Sequence, residues 1–565
     1  MKRIISLLIL LGITCSLALA QAPAAAPAET AAPAQTETAP AAPAEPPAAE
    51  PAAAAAPAEP AAPVPDPSGA STGKGSDITV AEAGKPTPEE LLNAIGHNKV
   101  AINMMWVLIT GFIVMFMQTG FAMVETGLTQ AKNAAHTFAM NFMIYPLGML
   151  GFYVCGFAIM FGGLGPILTM GGYAGLNHEV TIDIAGKSLG IFGAKGFFLT
   201  GDSYDVSVFA LFLFQMVFMD TTATIPTGAM AERWKYSSFV VYGLLVGSII
   251  YPLYGNWVWG GGWLATLGSN FGVGHGHVDF AGSSVVHLTG GVLALVGAWI
   301  IGPRIGKYKK DGTAVPIPGH SIPMAMIGTF ILAFGWFGFN PGSTLAGGDL
   351  RISVVAVNTM LAGSTGAFAA MLWMWLVRTG KPDPSMMCNG LLAGLVAITA
   401  PCAFVNAPVA CLIGLVAGVL VVEAAFFVEG TLKVDDPVGA IAVHGFNGAW
   451  GCLALGLFAD GTYGDGWNGV AGTVKGLFYG DASQLLAQCI GIGANMIAIG
   501  TLGFVVFKAI DLVIGLRADP KAEIEGLDVP EMGVPGYVGV SDGLLVTEHS
   551  SKSTFSTSPS TSPIR

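Results

Sequence analysis

Charge is what this sequence has least of. Only 11% of its 565 residues are Asp, Glu, Lys or Arg, while 53% are apolar. Soluble domains carry about 25% charged residues, and the mean hydropathy here is +0.64. A water-soluble globule is excluded. Basic clusters are scarce too, and the formal net charge of −12 argues against nucleic acid as a partner. Among the seven cysteines there is no Cys-x-x-Cys and no extracellular framework. Cys15 falls in the leader, and the other six lie in or beside apolar runs, where they read as packing thiols. The chain also lacks a phosphate-binding loop, an HExxH motif and any transition-metal ligand spacing. Its 78 glycines follow no three-residue period, which rules out a collagen-like fibre. Nothing calls for a cofactor or metal, and nothing indicates an enzyme.

What is present is apolar and segmented. Residues 1–20 read as a signal peptide, with Lys2 and Arg3 ahead of an apolar run and Ala18-Leu19-Ala20 as the cleavage site. Residues 21–97 read as a disordered linker, almost wholly Ala and Pro up to about residue 67. Repeated Pro forbids a continuous helix there, and little in it can bury a core. Residues 98–516 form the membrane domain and 517–565 a C-terminal tail. Eleven apolar segments approach the ~20 residues needed to cross a bilayer. Their centres lie near Ile113, Leu150, Val217, Leu245, Leu293, Ile331, Thr365, Leu395, Val416, Trp450 and Ile497. The fold class is therefore an all-α polytopic membrane protein. Ten Lys or Arg, among them Lys132, Arg233, Arg304 and Lys433, fall in loops on one side, against Lys187, Lys195, Arg351 and Lys475 on the other. The positive-inside bias then puts the mature N-terminus outside and the tail in the cytoplasm. The signal peptide demands the same orientation, in the cell's inner membrane.

The fifth and tenth segments repeat a pattern, Val286-His287 followed by Gly291 and Val443-His444 followed by Gly448. Five helices apart means opposite directions through the bilayer, the mark of two inverted five-helix repeats plus a final helix. An ionisable residue inside a membrane helix is a functional candidate by default. At ~1.5 Å rise per residue each histidine lies roughly 10 Å past its own membrane face, so their depths can converge. Two neutral imidazoles in contact would fix each other's tautomers, and only one could readily be charged. Such a pair suits a proton or a polar solute and suits a bare cation poorly. Two separate, satisfied interhelical histidines, or a haem-ligating pair, are the competing readings.

Aromatics gather near the outer ends of the same helices. Phe214 and Phe218 share one face of the third; the fourth ends in Trp257-Val258-Trp259-Gly260-Gly261-Gly262-Trp263, and the sixth in Gly335 through Phe339 to Ser343. They form either an interfacial belt or a cage for a small cation. Asp279 is placed to cap the fifth helix. Glu125, Asp220 and Glu423 read as interhelical hydrogen-bonding groups.

Seven ordered motifs then point to one family. They are Phe121-Ala122-Met123-Val124-Glu125-Thr126-Gly127 with Ala131-Lys132-Asn133, Gly228 through Arg233, Trp259 through Gly262, Asp279 through His287, Gly335 through Ser343, Asp435-Asp436-Pro437 through Gly445, and Glu525-Gly526-Leu527-Asp528. From about residue 100 to 535 the chain resembles the ammonium transporter (Amt/Rh) family, and looks like a bacterial member. The resemblance implies a homotrimer with one hydrophobic pore per protomer. It implies an outer ammonium site of Trp259, Phe214 and Ser343, a gate of Phe218 and Phe339, a pore proton relay of His287 and His444, and Asp279 organising the entrance. Ammonium or ammonia is the implied substrate for nitrogen uptake, with methylammonium a surrogate and carbon dioxide an alternative. A cytoplasmic PII-type protein is the implied partner of the tail. The Ala/Pro linker and the Ser/Thr-rich end after Ser541 depart from the family pattern. An ammonium sensor signalling through its tail and a haem-binding electron carrier remain the other classes.

Overall fold

Each of the eleven apolar segments becomes a helix in the computed structural model, which describes residue 81 and residues 85–537. The signal peptide, the Ala/Pro run and the end after Ser541 lie outside the described residues. Ten of the helices are long and apolar enough to cross a membrane. In chain order they are α1 (Pro88–Leu128), α2 (Ala131–Phe161), α3 (Val206–Ala229), α4 (Tyr236–Trp259), α5 (Ser283–Ile301), α6 (Ile322–Gly342), α7 (Ile352–Arg378), α9 (Ala407–Gly430), α10 (Ile441–Phe458) and α11 (Ala482–Ile514). The remaining one, α8 (Pro384–Ile398), is a shorter apolar helix. A six-residue helix, α12 (Pro520–Glu525), begins the tail. The first helix starts ten residues ahead of the boundary expected at residue 98. Thr87 and Glu90 form a capping box there and Pro88 takes the first turn, so the polar stretch 88–97 is helix rather than linker.

The helix starts are written in short polar residues. Asp205, Asp383, Asn406 and Asp481 each accept backbone N–H bonds from the first turn that follows. Packing then depends on missing side chains. A Cβ on Gly291 of α5 would meet Gly445 N of α10 at 2.2 Å. On Gly394 of α8 it would meet Ala362 O at 2.2 Å, and on Gly418 of α9 it would meet Gly366 O at 2.2 Å. Helices in lipid gain little from burying apolar surface against each other, so close backbone approach supplies the contact. Large apolar side chains such as Phe142, Phe330, Ile497 and Leu512 remain exposed on the outside of the bundle, as a lipid-facing surface requires.

The inverted repeats meet at α5 and α10. Each opens with a π-helical turn, Ser283–Leu288 and Ile441–Phe446, and each histidine sits within that turn. Each turn follows a glycine at positive φ, Gly282 (116°) and Gly439 (79°), and an aspartate three residues earlier. Turns 399–404, beyond the short α8, are buried against α5. Ala281 N donates to Thr399 O, and Ala400 N to the Ser283 hydroxyl. Non-helical backbone at this depth is tolerable because protein groups satisfy it.

Two faces cap the bundle. Between α2 and α3 a β-hairpin of β1 (Glu179–Ile184) and β2 (Lys187–Gly193) turns through Ala185-Gly186, both at positive φ as a two-residue hairpin loop requires. This is the hairpin face. The opposite, tail face carries the loops after α1, α3, α5, α7 and α9, with the tail folded against three of them.

Candidate functional site

A row of rings runs between the repeats. Trp259, at the end of α4, is fixed by its indole N–H, which donates to Asp279 O at 2.7 Å. Phe218 lies edge-on to it at 6.0 Å between centroids, with Phe214 4.7 Å from Phe218. Phe218 and Phe339 stack at 4.1 Å and 23°. Phe339 then stacks on His287 at 5.4 Å, and His287 on His444 at 5.2 Å. Helices α3, α4, α5, α6 and α10 all contribute. Ser343 closes α6 beside this row, donating its hydroxyl hydrogen to Phe339 O at 2.7 Å and keeping its lone pairs free to accept. Every residue predicted for the site is thus in or beside one continuous line.

The histidines are in direct contact, Nδ1 to Nδ1, at 3.1 Å. In a neutral pair at this distance one Nδ1 carries the hydrogen and the other accepts it. The donor ring then has a bare Nε2 and the acceptor ring a protonated one. His287 Nε2 is buried with no hydrogen-bond partner. The reading of two separate interhelical histidines does not survive this geometry.

Asp279 organises the start of α5 with both oxygens. Oδ1 accepts from Gly282 N and Ser283 N, and Oδ2 from Ser284 N, Val285 N and the Ser284 hydroxyl, all within 3.0 Å. Among the described residues it falls with His277 and Cys452 in a group whose ligand atoms lie within 4.8 Å of one another, a spacing that could hold a metal ion. Five donors already occupy the carboxylate, however, and it has no lone pair to offer a metal. The three other acidic candidates diverge. Glu125 accepts from Asn141 and Thr227, and Glu423 pairs with Arg378 and Trp373, as interhelical groups should. Asp220 is buried with Oδ1 unbonded.

Three neighbours of the site fall within the quoted motifs but carry no role assigned from the sequence. Trp336 stacks on the other side of His287 at 5.4 Å and 19°, its N–H donating to the Thr399 hydroxyl. Phe121 lies 6.1 Å from His444. Asp436 accepts from Gly439 N and Ile441 N, the tail-face counterpart of Asp279. This last one had a signal. Asp279 and Asp436 each precede a Gly by three residues and a Val-His by seven and eight, a longer repeat than Val-His alone.

On the tail face a cavity of about 300 Å³ opens beside the start of α10, lined in part by Leu128, Arg304, Asp383, Asp436, Val438 and Ala442. A buried ion-pair cluster stands next to it. Arg304 grips Asp435 with Nε and Nη2 at 2.8 and 2.9 Å and also bonds Glu232. Burial acts to raise the Asp435 carboxyl, but the Arg304 hydrogen bonds and the Arg233 and Arg304 charges outweigh it and hold it well below the ordinary range. The tail docks beside this cluster. Glu523 accepts from Arg517 and Ile305 N, Asp528 from His136 N, and Glu531 from Tyr236 N.

Comparison with known proteins points to one family. Residues 105–537 match the model of the Ammonium Transporter Family. The chain is 45% identical over 468 residues to ammonium transporter Amt2 of Archaeoglobus fulgidus, covering 82% of this chain and 92% of that one. It is 38% identical to ammonium transporter Amt1 of Haloferax mediterranei, covering 78% and 80% respectively. Among solved structures, one described as a Sensor Amt Protein superposes with a TM-score of 0.65 at 35% identity, over 77% of this chain and 99% of that one. Candida albicans Mep2 follows with a TM-score of 0.62 at 26% identity, over 74% and 86%.

Proposed function

The chain belongs to the ammonium transporter family, and on that footing we propose that it carries ammonium across the inner membrane by separating it into ammonia and a proton. The observation that carries this reading is the row of rings from Trp259 to the His287–His444 contact. The hairpin face lies outside in this reading and the tail face in the cytoplasm.

Ammonium is about as large as potassium, so an oxygen cage sized for one would admit the other. It differs in being able to give up a proton. At the outer site Trp259 and Phe214 offer π-faces to the cation, and the Ser343 oxygen accepts one N–H. An intact ion among Phe218, Phe339 and their apolar neighbours would cost at least ~2.5–3.5 kcal/mol at mid-membrane. Ammonia crosses there at far lower cost. The proton enters at the bare Nε2 of His287, the Nδ1 hydrogen shifts to His444, and a proton leaves from His444 Nε2. Each passage inverts both tautomers, so the pair must reset before the next. Ammonia and proton recombine in the cavity beside Asp436. By family resemblance the working unit is a homotrimer, and the tail is a docking place for a PII-type protein.

The test is charge movement in proteoliposomes after an ammonium pulse, with potassium as control. Current for ammonium alone supports the reading. Equal currents for both ions would sink it. A second reading, an ammonium sensor acting through the tail, draws support from the tail's seat against the loop that holds Arg304 and the first turns of α2 that hold His136. It predicts ammonium binding without current.

A further inference from the structure

Glu179, the first residue of β1, lies far from any motif, yet its carboxyl is folded into the end of α4. We infer that Glu179, acting through Asn256, is a positioning residue for the outer ammonium site and makes that site respond to external pH. The inference rests on the reading that Trp259 lines that site.

Asn256 stands three residues before Trp259 and is fully buried. Its amide donates to Met160 O at 3.1 Å and to Glu179 Oε2 at 3.2 Å. Its backbone carbonyl accepts from Gly260 N and Gly262 N, both at 3.0 Å, so the residue whose side chain meets Glu179 also holds the turn that follows Trp259. That turn wraps the side chain closely. A Cβ on Gly260 would meet Asn256 Nδ2 at 2.8 Å, and one on Gly262 would meet Oδ1 at 2.7 Å. Glu179 is enclosed in the same way, since a Cβ on Gly163 would meet Oε2 at 2.0 Å and one on Gly190 would meet Oε1 at 2.8 Å. The hairpin is anchored to the same turn twice more, by Trp257 Nε1 to Ile191 O and by Trp263 N to Gly190 O, both 2.9 Å.

Two oxygens in this pocket lack a donor, Glu179 Oε1 and Asn256 Oδ1. Glu179 as a residue is half-buried, but Oε1 itself is shut from solvent, and an unsatisfied buried acceptor is costly, the more so on a carboxylate. No cation supplies the need. The end of α2 with the turn after it (160–163), the last turn of α4 (256–259) and the turn at 260–263 carry no titratable side chain. Lys187 lies at the far end of β2, opposite Ile184. Lys195 bonds Asn177 and Asp202 instead. On β1 itself Asp183 is exposed, as is the neighbouring His178. A proton on Glu179 both removes the charge and provides a donor. Burial pushes this carboxyl up, to about 7, with the Asn256 bond acting against it. Ionisation therefore favours withdrawal of the carboxylate toward water, which frees Asn256 and the turn that seats Trp259.

Glu179→Gln fixes the uncharged state, with an amide that can both donate and accept. The measurement is the half-saturating concentration of ammonium ion for current in proteoliposomes of the full chain, as external pH is varied. For the wild type it should rise about threefold as pH passes through neutrality, the size of losing part of one cation–π contact. Glu179→Gln should keep the low-pH value throughout. A wild-type profile in Glu179→Gln overturns the inference. Should that variant not assemble, Asn256→Ser cuts the same link. There too the pH response should vanish, and its survival overturns the inference. Should no ammonium current appear at any pH, the transport reading falls. Difference infrared spectroscopy of the wild type against Asn256→Ser then decides: a protonated-carboxyl band that bleaches near neutrality and is shifted by the substitution supports the inference, and its absence overturns it.

Discussion

His287 Nδ1 and His444 Nδ1, contributed by helices that enter from opposite faces, stand 3.1 Å apart. Only one hydrogen fits between them, so the two rings act as one unit whose outer nitrogens are in opposite states whenever the pair is neutral. Replacing both by Leu should therefore abolish selective, ammonium-driven current, while leaving an apolar pore that ammonia can still cross. Retained selectivity over potassium in the double variant would falsify the relay.

Trp259 is held by one hydrogen bond, to Asp279 O. Trp259→Leu removes both the π-face and that tether. The half-saturating ammonium concentration should rise roughly 2- to 30-fold, the range for losing a cation–π contact of ~0.5–2 kcal/mol. Maximal current should fall less than apparent affinity does. Dose–response curves in the same vesicles check it, and an unchanged midpoint counts against this residue as a binding group.

Gly291 is where α5 and α10 touch backbone to backbone. A methyl group there would meet Gly445 N at 2.2 Å and its Cα at 2.3 Å, and backbone cannot step aside as a flexible side chain can. Gly291→Ala should cost about 1–3 kcal/mol and widen the histidine contact. Thermal unfolding in detergent should begin at lower temperature, with current reduced beyond what the folded fraction explains.

Asp435 and Arg304 supply a pH prediction. A carboxyl held below its unfolded value contributes stability that is complete above that value, about 3.9, and is lost as pH falls through the folded one. Asp435→Asn leaves Arg304 short of a buried partner and should cost ~3–5 kcal/mol. The gap in melting temperature between wild type and variant should stay constant from about pH 8 to 5 and narrow only below about pH 4. A gap that closes near neutrality would show that another group is responsible.

Much of this molecule is determined by the sequence alone. Hydrocarbon thickness makes segment length diagnostic, so all eleven helices were legible, even the short one around Leu395. Glycine runs within apolar helices announced close packing, and Val-His in both halves announced the inverted repeat. The family motifs carried Asp279, Phe339 and Ser343 as well, while Phe214 and Phe218 were paired by their i, i+4 spacing on one helix face. The start of α1 lies ahead of residue 98 because a capping box outweighs the polar composition of residues 88–97.

Tertiary structure alone decided the rest. Trp336 and Phe121 belong to helices rich in aromatics, and only the crossing angle selects which rings reach a histidine. The repeat shared with Asp279 marks Asp436 in the sequence, but that it faces a cavity follows only from α10 entering at the tail face. Glu179 and Asn256 are 77 residues apart, and nothing in either segment marks the other. Periodicity and length are local properties that each stretch of chain obeys by itself. Which nitrogen touches which, and which carboxyl is shut away from water, depends on how separate helices and loops close around one another.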